Sequence, residues 1–219
     1  MSDAINVLFL VIAGLFPIIN PVGNAPIFFN LTRDCSIDTR HMLARRIAIG
    51  GFLLLLGSLF VGSHVLVFFG ITLPVVRIAG GLVVTSMGWT LLNAGETPIE
   101  TQSTPGMGDQ TALDRSFYPL TMPLTVGPGS IATAITLGSQ KEIAASGIGY
   151  LALQGIAAVT GLAVVSITVY LSYRYADKIE RILGKTGTSV MVRLSAFILL
   201  CIGVQILWNG VSELFQLAH

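Results

Sequence analysis

Two short motifs carry the residues of this chain best suited to chemistry: Asn20-Pro21-Val22-Gly23-Asn24 and Gly127-Pro128-Gly129-Ser130. Each sets a favoured N-cap residue, Asn or Gly, directly before a proline, the pattern that begins a helix. Yet each lies about halfway along an uncharged stretch, Ala4 to Thr32 and Ser116 to Gln140. Proline inside a helix removes one backbone hydrogen bond and crowds the preceding turn, and the neighbouring glycines tolerate unwound backbone. Each stretch is therefore predicted to break into two half-helices. The second half would present unsatisfied N–H groups and the positive end of its dipole. Such a terminus binds a carboxylate without burying a charged side chain, and the carbonyls released before the break accept from an ammonium. A zwitterionic amino acid meets both demands. The plainer alternative is a kink that only shapes packing, since Gly and Pro are frequent in membrane helices. Placement of the two motifs at corresponding points of two halves favours the binding reading.

Those halves are visible as a repeat. Val76-Arg77-Ile78-Ala79-Gly80 running to Asn93 resembles Val192-Arg193-Leu194-Ser195-Ala196 running to Asn209, with the same Arg-to-Asn spacing in both copies. Arg77 and Arg193 either snorkel to the interface or satisfy carbonyls freed at a break and gate the site. Asn93 and Asn209 are expected to end their helices. His64 is the one ionisable group within its span and is the candidate for proton coupling, with simple packing as the alternative. No His or Cys cluster has metal-ligand spacing, so neither a metal nor a cofactor is expected. Cys35 and Cys201 are expected as thiols rather than a disulfide. Without HExxH, GxSxG or an intramembrane aspartate pair, an enzyme is not expected.

The elements that position these motifs follow from composition. The chain of 219 residues is 53% hydrophobic and 11% charged, with mean hydropathy +0.80, against about 25% charged residues in soluble domains. Uncharged runs such as Ile143 to Tyr173 exceed the roughly 20 residues needed to cross a bilayer, and they are continuously apolar rather than alternating, which argues against a β-barrel. The reading is an all-α polytopic membrane protein with six spans. The first three-span repeat covers 1–95, with spans near 5–30, 47–69 and 74–94. A polar linker, 96–115, leads to the second repeat, 116–219, with spans near 117–138, 147–171 and 190–211. Three spans per half is an odd number, so the repeats are inverted, with spans one and four broken. The N-terminal stretch lacks a basic n-region and reads as a retained span.

Arg33, Arg40, Arg45 and Arg46 lie between spans one and two, and Arg174, Lys178, Arg181 and Lys185 between spans five and six. The positive-inside rule places both clusters and the linker in the cytoplasm, leaving Lys141 and both termini outside. The expected partners are the lipid bilayer and a small-molecule substrate. No nucleic-acid partner is expected, and a homo-oligomer is compatible with the sequence.

Taken together, Asn20-Pro21 with Gly23-Asn24-Ala25-Pro26, Arg77-Ile78-Ala79-Gly80-Gly81, Pro123 with Gly127-Pro128-Gly129-Ser130-Ile131-Ala132, and Gly203-Val204-Gln205 with Asn209-Gly210 resemble the MarC family of bacterial inner-membrane proteins across all six spans. The resemblance implies a six-span transporter of small neutral amino acids such as glycine, alanine or serine in the inner membrane. The residue-level reading reaches a zwitterion without choosing its side chain. A channel-like facilitator and a non-transporting assembly or regulatory protein are the alternatives.

Overall fold

The computed structural model describes residues 2–93, 108–139 and 148–217. Among the described residues there are eight α-helices and one π-wound segment: α1 (Ser2–Ile19), α2 (Pro21–Leu31), α3 (Ile37–Phe68), α4 (Leu73–Asn93), α5 (Asp109–Asp114), the π-wound Ser116–Thr125, α6 (Pro128–Gly138), α7 (Ile148–Arg174) and α8 (Ala176–Leu217). Among the described residues five helices are long and apolar enough to cross a membrane, with α1 and α2 together forming the first of them, Ala4–Leu31. The number rises to six if the π-wound segment and α6, bent by 69° at their junction, form one span. Most of the 96–115 linker and the segment holding Lys141 lie outside the described residues.

Two segments expected as loops are helical. Ser36 caps α3, its hydroxyl accepting from Thr39 N, and Asp38 sits in the first turn, so the helix starts at Ile37 rather than near residue 47. The basic stretch before the last span is likewise wound, as the start of α8, with a break at Gly184 where φ is 63°. There glycine supplies the left-handed backbone that other residues avoid. Asp109, opening α5, accepts from Ser36 N and ties the linker's end to the α2–α3 turn.

Lipid is as apolar as leucine, so helix association in a bilayer depends on close packing more than on hydrophobic burial. Small residues supply that packing here. Helices α4 and α8 run antiparallel, with Gly81 against Leu207, Gly88 against Leu200, Gly203 against Thr85 and Gly210 against Ile78. A Cβ at Gly81, Gly88 or Gly203 would lie within 2.6 Å of facing backbone nitrogen, so glycine is required for this approach. Around the pair, α6 rests on α4, α2 rests on α8, and α3 and α7 pack on each other and on the short helices. Val11, Leu15, Phe28, Leu43, Leu55 and Leu162 fill the buried centre.

Candidate functional site

The α1–α2 break is built by two asparagines. Asn20 occupies the left-handed region (φ 46°, ψ 60°), which asparagine tolerates better than most residues, and Pro21 has no N–H to continue the ladder. Gly23 N, which would bond Ile19 O in a continuous helix, turns to the Asn20 Oδ1 at 3.2 Å. The orphaned Ile19 O instead accepts from Asn24 Nδ2 at 2.8 Å. A Cβ on Gly23 would sit 2.3 Å from the Asn20 amide, so Gly23 makes room for the cap.

The second break has a different origin. Tyr118 and Met122 are forced to extended backbone by the prolines that follow them, which interrupts helical winding within Ser116–Thr125. Threonines claim carbonyls loosened by this winding: Thr121 Oγ1 donates to Ser116 O and Thr125 Oγ1 to Leu120 O, both at 2.8 Å. Because the Thr125 hydroxyl is spent, Tyr173 donates to it, at 2.9 Å, while stacking on Phe28 at 4.5 Å between centroids. Gly127 then opens α6 with no side-chain cap, and Ser130 Oγ returns to Gly127 O at 2.8 Å.

The same Asn24 amide that takes Ile19 O also donates to Leu124 O, 3.3 Å away on the second break. One side chain therefore bridges both interruptions. Of the residues expected at the site, Asn20, Pro21, Gly23 and Asn24 lie at the first break, and Gly127, Pro128, Gly129 and Ser130 at the second.

Two features depart from expectation. The starts of α2 and α6 are not equivalent, because Asn20 already satisfies one N–H of α2 whereas no side chain caps α6. The two glycines of the second motif also differ. A Cβ at Gly129 would lie 1.9 Å from Val84 Cγ2, so Gly129 holds α6 against α4, while one at Gly127 would meet only Pro123 O at 3.5 Å and Met87 Sδ at 3.9 Å.

The remaining candidates lie apart from the breaks. Arg77 pairs with Glu213 across α4 and α8. Arg193 is exposed, with no ion pair among the described residues, and His64 is exposed on α3. A carbonyl at a helix end is satisfied by Arg40: its Nη2 donates to Thr32 O at 3.0 Å beyond the end of α2, and its guanidinium lies 4.7 Å over the Phe29 ring. Asn93 is the last described residue of α4, and Asn209 does not end α8 and accepts from Gln205. Among the described residues no group of three metal-ligating side chains gathers.

The family description that fits this chain, MarC family integral membrane protein, matches residues 5–215. Similar relatives include the UPF0056 inner membrane protein MarC of Citrobacter koseri, 30% identical over the full length of both chains, and the UPF0056 membrane protein YvbG of Bacillus subtilis, 33% identical over 94% of each. No solved structure matches the chain.

Proposed function

The chain belongs to the MarC family of integral membrane proteins, and from that premise we propose that it carries small neutral solutes, foremost small neutral amino acids, across the bacterial inner membrane by alternating access around the two breaks. The observation that carries this reading is the Asn24 amide joining Ile19 O to Leu124 O, because it sets two interrupted helices from opposite halves edge to edge. The uncapped start of α6 offers N–H donors to a carboxylate, and the released carbonyls, each with a second lone pair, accept from an ammonium.

Inverted repeats are supported by the packing. Exchanging the halves turns the contact of α6 with α4 into that of α2 with α8, and the contact of α1 with α7 into that of the π-wound segment with α3. The α4–α8 pair maps onto itself. In its antiparallel register the facing residues that lie 116 positions apart, the separation of Arg77 from Arg193, are Ser86 and Ile202, which mark the exchanged centre. That centre falls within α4 and within the spanning part of α8, Ser189–Gln216, as a two-fold axis in the membrane plane requires.

The test is counterflow of labelled glycine, alanine and serine in proteoliposomes. Gly127→Val is the informative variant, since a Cβ at Gly127 meets its neighbours only at ordinary contact distance, whereas one at Gly129 collides with α4. Wild-type exchange at least about tenfold above the variant, with equal insertion, is the expected result. Equal exchange by both removes the site from the breaks. A facilitator is the second reading, favoured because acidic side chains in the spanning helices are confined to Asp38, at the start of α3, and the paired Glu213. Flux unchanged by imposed proton or sodium gradients would select it.

A further inference from the structure

Beyond the breaks lies a cleft of about 560 Å³ between α4, α6 and α8, with Arg77, Thr133, Thr136, Asn209, Ser212 and Glu213 among its lining residues. We propose that this cleft is a second binding site, for small molecules that carry a carboxylate and an ammonium close together, with Arg77 taking the first and Glu213 the second.

Charged side chains in membrane helices are costly and usually paired, so the Arg77–Glu213 contact alone would pass as structural. Its setting distinguishes it. The two side chains keep 22% and 35% exposure and border an open cleft rather than packed helix surface. The wall opposite is polar, and one of its groups is unspent: the Thr133 hydroxyl is shielded yet has no hydrogen-bond partner. Threonines elsewhere in the spans return their hydroxyls to the preceding turn, as Thr85 does to Gly81 O at 2.7 Å and Thr160 to Ile156 O at 2.7 Å. The Thr133 hydroxyl keeps its donor unspent.

Charge balance sets the ligand class. A guanidinium and a carboxylate in one cleft are neutral together, so a monocarboxylate or a simple amine would displace one partner and strand the other charge. A zwitterion opens the pair and replaces both halves, converting one ion pair into two charge-assisted contacts. Thr133 lies six residues beyond Gly127 on α6, about 9 Å along the helix, so the cleft is separate from the break and borders the same helix. As an entry vestibule for cargo the cleft rests on the transport reading. As a binding site it does not.

Equilibrium binding of labelled alanine to the purified full chain in detergent tests the proposal. Unlabelled alanine should compete at least about tenfold better than propionate or ethylamine, each of which carries only one of the two charges. Arg77→Gln and Glu213→Gln should each weaken alanine at least about tenfold or remove one bound alanine per chain, and Thr133→Val should weaken it about threefold. Propionate or ethylamine matching alanine overturns the site without recourse to any variant. So does alanine binding of wild-type affinity and stoichiometry in both charge variants, or no binding to the wild type. Charge-dependent binding with no counterflow would uphold the cleft and remove the transport reading. Counterflow with binding insensitive to Arg77 and Glu213 would do the reverse.

Discussion

Asn24 is where a single side chain does most to hold the candidate site. Two carbonyls that lost their helical donors, Ile19 O and Leu124 O, share its amide, in a setting where lipid offers no replacement. Asn24→Ala leaves both without a protein donor, and each such group costs about 1–3 kcal/mol. The variant is expected to lower the thermal unfolding midpoint in detergent and to loosen the two breaks from each other. Asn24→Leu keeps the volume and loses the same donors, so it should fall as far. An unchanged midpoint in both would mean that water or the opposite helix serves these carbonyls, and that the bridge is not what joins the halves.

Between elements, the kind of atom a glycine faces decides what a methyl group there does. At Gly81 the obstacle is the Leu207 backbone nitrogen, 2.5 Å from an added Cβ, so α4 and α8 must separate. At Gly129 it is the Val84 Cγ2, a side chain that can be trimmed. Gly81→Ala and Gly129→Ala are each expected to destabilise the protein by about 1–3 kcal/mol, the range of overpacking. Adding Val84→Ala should restore the second and leave the first unchanged, read as unfolding midpoints of the single and double variants. The same distinction marks what the sequence discloses. Asn20-Pro21 is legible because a missing N–H and a tolerated left-handed backbone are local properties. The helical start of α3 falls where the sequence suggests a loop, because the arginines around it outweigh the local cap of Ser36 and Asp38. What Asn24 bridges, and that Arg77 meets Glu213 a full 136 residues away, depends on tertiary placement that no local pattern encodes. The seven-residue spacing of Gly81 with Gly88, and of Gly203 with Gly210, is a signal that would have located the α4–α8 seam.

For the whole molecule, the bend between the π-wound segment and α6 decides the topology. If this pair crosses the bilayer, the chain makes six passes and its ends share a face. Arg33, Arg40, Arg45 and Arg46 then lie on the same side as Arg174, Lys178, Arg181 and Lys185, as the positive-inside rule requires. If the pair instead dips in and returns, five passes remain and the two basic clusters fall on opposite faces, against that rule. Charge therefore favours six passes, and inverted repeats need six. Single cysteines in a Cys35→Ala/Cys201→Ala background separate the cases: Asp34→Cys and Arg181→Cys are exposed sites in the two clusters, and Leu217→Cys closes α8. A membrane-impermeant maleimide applied to intact cells stripped of their outer barrier should label Leu217→Cys and reach the other two only after the membrane is opened. Labelling of Arg181→Cys in intact cells, with Asp34→Cys protected, would make α6 the end of a re-entrant loop. The two breaks would then approach from one face, and alternating access around them would lose its symmetry.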